Sequence, residues 1–253
     1  MKPIIIANWK MNLNSRASLD LAKEYDDLIS DSESIEKNIV VCPSTSCFLT
    51  VAEIFNKNPI SLGVQDIFWE SKGAFTGCES PKFIYEEGCR YAIIGHSERR
   101  NFLKETNEMI HKKIKEALDW GITPILCVGE TYEERASGMA DNVIMSQVIR
   151  GLSGIDLTTN EHLIIAYEPV WVIGSGRPIE QEEAEQAFRV INQAVIDLWP
   201  LTIASNNIRI IYGGSVDGSN ASEFVNLEHF KGFLVGGASL RTDEFLSIIK
   251  QTK

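Results

Sequence analysis

Eight short apolar runs punctuate the chain, at Pro3–Trp9, Ile39–Cys42, Ile60–Val64, Tyr91–Ile94, Ile122–Val128, Leu163–Tyr167, Ile208–Tyr212 and Phe233–Val235. They are continuously apolar rather than alternating, which is the pattern of parallel strands covered on both faces. Polar stretches with helical spacing lie between them. Leu21, Tyr25, Leu28 and Ile29 recur at i, i+4, i+7 and i+8, and Ile110, Ile114, Ala117 and Leu118 repeat that spacing before a capping glycine, Gly121. Ala184, Phe188, Ile191 and Val195 make a third apolar face, and Thr242-Asp243-Glu244 marks a late helix start. No linker, low-complexity tract or charge block interrupts this alternation, so residues 1–253 read as one domain. Strand–helix alternation implies right-handed βαβ units. An open doubly wound sheet alternates in the same way, but eight repeats in 253 residues favour an α/β fold closed into a (β/α)8 barrel. In that architecture the chemistry lies at the carboxyl ends of the strands.

The residues that follow the strands are therefore the ones to weigh. After the first run comes Asn8-Trp9-Lys10; after the fourth, Gly95-His96-Ser97-Glu98-Arg99-Arg100. After the sixth comes Glu168, whose neighbour Pro169 biases it toward an extended backbone. Bulky apolar residues, Val170 to Ile173, then lead to two glycines, Gly174 and Gly176. That arrangement reads as a general base followed by a hinged lid that excludes water from it. Gly213-Gly214-Ser215 and Gly236-Gly237-Ala238-Ser239 follow the last two runs. Glycines there let backbone N–H groups approach a ligand, and in barrels this is the usual phosphate position. Each residue also has a plain structural reading: Glu168 as a strand end, Lys10 as a surface lysine, His96 as a structural histidine, the glycine pairs as tight turns. Their joint placement on one rim is what favours a site.

Composition narrows the picture. An apolar content of 44% with 23% charged residues is ordinary for a globular protein, and no run approaches the roughly 18 residues of a membrane span. The amino-terminal segment reads as a strand rather than a signal peptide. Five cysteines without a Cys-x-x-Cys pair argue for reduced thiols in a cytosolic compartment. The four histidines lack the paired spacing of a metal site. A net charge of −11 disfavours nucleic acid or an anionic membrane as partner, and an anionic substrate would need a local cluster of donors.

The strand-end segments resemble the triosephosphate isomerase family. The resemblance is carried by Asn8-Trp9-Lys10, Gly73-Ala74-Phe75-Thr76-Gly77, Ile94-Gly95-His96-Ser97-Glu98-Arg99-Arg100, Ala166-Tyr167-Glu168-Pro169-Val170-Trp171, Tyr212-Gly213-Gly214-Ser215-Val216 and Leu234-Val235-Gly236-Gly237-Ala238-Ser239-Leu240. These span nearly the whole chain in family order. The resemblance implies a cytoplasmic enzyme of glycolysis and gluconeogenesis that interconverts dihydroxyacetone phosphate and D-glyceraldehyde 3-phosphate without cofactor or metal. By the same resemblance Glu168 is the base that moves the proton, His96 the electrophile and Lys10 a fixed positive charge. Asn8 positions the site, Ser97 and Glu98 support it, and Gly174, Ser215, Gly236 and Gly237 hold the phosphate. The family's third loop, here with Phe75, Thr76 and Cys78, reaches into a neighbouring subunit of a homodimer.

Some positions depart from the family. The lid's second hinge reads Gly174-Ser175-Gly176-Arg177, where Thr and Lys are usual at the second and fourth places, and Val172 replaces an alanine. These changes keep a hydroxyl, the glycines and the charge, so closure is expected to survive with an altered rate. Cys78 stands where glutamate is common and Lys104 where glycine is common, while Glu105 keeps the acid that lies near Arg99. Two other readings share some of these features. A different phosphate-binding barrel has the late glycine turns but not the Asn-x-Lys, His and Glu-Pro-Val-Trp set. An inactive binding or structural barrel would have lost Lys10, His96 or Glu168.

Overall fold

The computed structural model describes residues 3–30, 38–56, 58–173, 179–225, 227 and 229–252. Eight strands follow one another along the chain: β1 (Ile4–Asn8), β2 (Asn38–Cys42), β3 (Ser61–Val64), β4 (Tyr91–Ile94), β5 (Thr123–Val128), β6 (Leu163–Tyr167), β7 (Ile208–Tyr212) and β8 (Gly232–Val235). Each pairs in parallel with its sequence neighbours, and β8 pairs with β1, so the sheet closes into a barrel. The open-sheet alternative is thereby excluded. Strand limits agree with the apolar runs to within a residue at each end. Pro3 drops out because it has no N–H for the ladder. Gly232 joins β8 at the closing seam, where its φ of +141° and the 1.8 Å that would separate a Cβ from the Ile4 carbonyl oxygen admit only glycine.

Closure divides the apolar residues into two cores. Ile4, Ile6, Val40, Ile93, Ile125, Ile164, Ile211 and Leu234 belong to a cluster that plugs the barrel interior. The intervening strand residues, such as Ile5, Val41, Ile94, Leu126, Ile165 and Val235, pack outward against the helices. This is why the strands read as largely apolar runs: alternate residues enter two different apolar cores.

Helices connect the strands. The helix Ser15–Ser30 buries Leu21, Tyr25 and Ile29, with Leu28 half-buried at the margin. Tyr25 stacks on Phe245 of the helix Thr242–Gln251, with ring centres 4.9 Å apart, and donates to the Ser239 carbonyl at 2.6 Å. The first and last helices are thus tied across the closing seam. The helix Asn107–Asp119 begins on Thr106, whose hydroxyl accepts from Met109 N–H, and ends with Gly121 at φ +72°. Ile122 N–H then bonds the Ala117 carbonyl at 2.8 Å, the glycine-capped ending that the sequence implies.

A buried ionic network fixes the loop that follows β3. Lys113, only 3% exposed, bridges Asp66 at 2.6 Å and Glu105 at 2.5 Å. Arg99 bonds the same two acids, at 2.7 Å and 3.0 Å. Burial raises Asp66 to about 6, with Lys113 and Arg99 pulling the other way. Just before Glu105, exposed Lys104 has a φ of +56°. Lysine has no preference for this left-handed backbone, in which glycine is unstrained.

An L-residue in that region costs about 1 kcal/mol, more if it is β-branched. Lys104→Gly is therefore expected to hold or raise stability, by up to about 1 kcal/mol, and Lys104→Val to lower it by a similar amount. Urea unfolding of the three proteins checks the order, and coincident midpoints would refute the strain.

Candidate active site

The carboxyl ends of the strands open into a cavity of about 340 Å3 lined by Asn8, Lys10, His96, Glu168, Ile173, Ser215, Gly236 and Gly237 among others. Three side chains that are far apart in sequence, Lys10, His96 and Glu168, thus share one small space.

Glu168 extends β6, and its N–H bonds the Val128 carbonyl at 2.7 Å. Its side chain is 2% exposed, so the carboxylate needs donors in place of water. Ser97 N–H supplies one, 3.0 Å from Oε2. His96 Nε2 stands beside it, 3.0 Å from Oε1.

His96 stands immediately before the helix Ser97–Phe102, where the first N–H groups are unpaired by the helix itself. Its Nδ1 accepts from Glu98 N–H at 3.2 Å. An accepting Nδ1 carries no proton, so the ring proton sits on Nε2 and points toward Glu168. The helix terminus therefore selects the tautomer that can donate into the cavity. Arg100 secures this loop from beneath, donating to the Gly95 carbonyl at 2.7 Å, the Cys127 carbonyl at 3.0 Å and Asn107 Oδ1 at 2.7 Å.

Lys10 adopts a φ of +51°, a strained value for lysine. Its neighbours enforce it. Asn8 Oδ1 accepts from Lys10 N–H at 3.1 Å, and the Lys10 carbonyl accepts from Ser44 Oγ and from Gln65 Nε2, each at 2.9 Å. The ammonium group is then aimed at Glu98 Oε1, 2.6 Å away. With Glu98 45% exposed, this pair directs the lysine more than it stabilises the fold.

Ser215, Gly236 and Gly237 line the same cavity, with the two glycines leading into the 3-10 turn Gly237–Leu240. A Cβ on Gly236 would meet Lys10 Cε at 3.5 Å, which sets how near the lysine lies to this turn. Gly174, expected to contribute to phosphate binding, lies outside the described residues, as do Ser175, Gly176 and Arg177. The lid's first half is described: Val170–Val172 forms a 3-10 turn, Val172 is buried and Ile173 faces the cavity. Phe75, Thr76 and Cys78 are exposed on the loop after β3. Among the described residues no cluster of His, Cys, Asp and Glu has metal-binding geometry.

Sequence reasoning missed a second buried acid, Glu130, which follows β5 and is fully buried. It accepts from Trp171 Nε1 at 3.1 Å and Tyr167 Oη at 3.2 Å, and pairs with Arg135 at 3.0 Å. Burial, with this acid adjacent, pushes the Tyr167 hydroxyl well up. Glu130 thus ties the start of the lid to the barrel rim. Its signal was available, since it too follows a strand, but only contact with Trp171 gives it meaning. Cys127, missed as well, lies beneath Glu168; burial raises its thiol strongly, and the Glu168 carboxylate adds to that.

Gly129 marks the tightest approach, because a Cβ there would come within 1.7 Å of the Glu168 carbonyl oxygen. Gly129→Ala is expected to cost on the order of 2 kcal/mol or more by forcing β6 outward. An unchanged urea midpoint would show that the rim yields freely at Glu168.

The family model described as triosephosphate isomerase matches residues 3–252. A protein named triosephosphate isomerase from Dictyoglomus thermophilum is 43% identical over 249 residues, covering 98% of this chain and 99% of the relative. Relatives of the same name from Dictyoglomus turgidum and Carboxydothermus hydrogenoformans are 41% and 40% identical, each over 98% of this chain and 99% and 98% of their own lengths.

Proposed function

The chain belongs to the triosephosphate isomerase family and is an isomerase of triose phosphates, and from that premise we propose that Glu168, His96 and Lys10 carry the reaction. Glu168 removes a proton from the carbon beside the carbonyl of dihydroxyacetone phosphate, and the bonding pair moves onto the carbonyl oxygen. The hydroxyl proton of the resulting enediolate then passes to the former carbonyl oxygen, with His96 beside both oxygens, and Glu168 returns its proton to the neighbouring carbon, giving D-glyceraldehyde 3-phosphate. Nothing is consumed, so the reaction needs no cofactor.

The barrier lies mainly in the charge that develops on oxygen. His96 Nε2–H and the Lys10 ammonium both line the cavity, resting against Glu168 and Glu98, and donors held in place by the fold in this way meet the developing charge at little cost in reorganisation. The observation that carries the reading is their meeting with Glu168 in one cavity of about 340 Å3 that Ser215, Gly236 and Gly237 also line. These three, with Gly174, hold the phosphate. In the geometry described, Glu168 is engaged by Ser97 N–H and His96 Nε2. Substrate therefore displaces the carboxylate from these neighbours and brings it onto the carbon-bound proton. Ile173 at the rim closes over the substrate with the lid, which keeps water from the enediolate and from its phosphate leaving group.

The same family membership supports a homodimer in the cytoplasm, with residues 1–253 acting as one domain. Met11 is 94% exposed, Phe102 81% and Leu103 62%, beside a groove of about 380 Å3 that reaches Lys10 and Glu98. A contiguous apolar rim of this kind suits an interface. The exposed loop with Phe75, Thr76 and Cys78 is the complementary feature.

Glu168→Gln is expected to lower kcat by at least about 10²-fold with a small change in KM, because it removes the base and keeps the shape. A coupled assay with glyceraldehyde 3-phosphate checks this, and equal rates would refute the role of Glu168. For the interface, Cys78→Glu is expected to tighten the dimer. Analytical ultracentrifugation over a dilution series reads the dissociation constant, and no change would remove Cys78 from the interface.

A further inference from the structure

The opposite mouth of the barrel is polar, and its composition is unlike that of a passive plug. Side chains one strand step below the apolar interior point inward by the period-two rule. Arg209 lies two residues before Ile211, Tyr91 before Ile93, Thr123 before Ile125, Asn38 before Val40 and His162 before Ile164, and each second member belongs to the interior cluster. These five polar residues, with Asn207, line a cavity of about 240 Å3 at the amino-terminal ends of β2, β4, β5, β6 and β7.

Its chemistry is one-sided. None of the nine lining residues is an acid. Arg209 forms no ion pair among the described residues, and its Nε is fully buried without a hydrogen-bond partner. Burial makes its charged form less favourable, with the Tyr91 hydroxyl the one group acting the other way. Asn207 spends its amide nitrogen on the Thr158 and Glu161 carbonyls, at 3.0 Å and 2.7 Å, which fixes its orientation. A partly buried guanidinium without a carboxylate in a protein of net charge −11 is an expensive arrangement unless an anion completes it. Its planar fork matches an oxyanion.

We propose that this amino-terminal mouth, with Arg209 at its centre, is a binding site for a small oxyanion of phosphate size, separate from the catalytic mouth. Hydroxyl and amide groups of Thr123, Tyr91 and Asn38 complete the donor set, and exposed His162 also lines the cavity. The cavity holds one such anion and not a nucleotide.

The two mouths both take phosphate, so the test separates them by position. Inorganic phosphate is titrated into isotope-labelled protein while amide resonances are followed. Two groups of signals are expected to move, Ser215, Gly236 and Gly237 at the catalytic mouth and Asn207 and Arg209 at the other. In Arg209→Met the second group is expected to need about tenfold more phosphate, with kcat and KM unchanged; Arg209→Lys restores part of the response. Movement confined to the catalytic loops overturns the proposal, as does an equal shift of the second group with sodium chloride at matched ionic strength. Should Arg209→Met fail to fold, the wild-type titration and its chloride control still decide the question.

Discussion

A carboxylate sealed from water must be held by hydrogen-bond donors or by a cation, and here it is held by donors. Glu168 receives one N–H from the backbone at Ser97 and lies 3.0 Å from the His96 ring nitrogen, with no Lys or Arg within ion-pair distance among the described residues. A buried counter-cation would have bound the charge tightly and fixed it in place. Two neutral neighbours instead leave the acid free to be drawn away, which a base that must move to its substrate requires. Much of the surrounding structure follows from this requirement. The helix beginning at Ser97 turns its first N–H groups toward the cavity and selects the ring tautomer. Arg100 holds that loop on the neighbouring strand, and Gly129 makes room for the backbone of Glu168.

Charge is placed with similar economy. The one ammonium group lining the cavity, that of Lys10, comes from a residue in a strained backbone conformation, kept there by Asn8, Ser44 and Gln65. Several hydrogen bonds over-determine one unfavourable φ, the usual condition under which such strain persists at functional sites. The overall negative charge would repel an anionic substrate, so attraction must come from the cations that line the cavity, Lys10 and Arg241, and from oriented backbone N–H groups at the glycine turns.

The fold was legible because burial on both faces leaves a strong mark: Ile4–Ile6, Ile93–Ile94 and Ile164–Ile165 cannot be solvent-facing anywhere. Strand ends then pointed to Lys10, His96 and Glu168 by residue type alone. What stayed hidden depends on contacts between loops. Glu130 has no local signature, since its importance rests on Trp171 and Arg135, 41 and 5 residues away. Short helices such as Ser97–Phe102 carry too few residues to display a period. The left-handed backbone at Lys10 and Lys104 was invisible because lysine has no preference for it. The polar lower layer escaped notice since Asn38, Thr123 and Arg209 each look like ordinary strand-edge residues until closure brings them together.

The apolar interior has one more consequence. Ile4, Ile6, Val40, Ile93, Ile125, Ile164, Ile211 and Leu234 form a dry partition between the two ends of the barrel. A continuous file of water molecules does not run through such a layer, and protons do not hop along one. On the proposed chemistry, a hydrogen lifted by Glu168 reaches the surroundings only at the carboxyl end of the barrel, past Ile173 or along the groove beside Lys10 and His96. The fraction of isotope retained from substrate to product is then a clock, comparing the return of the hydrogen to carbon with its escape at that end.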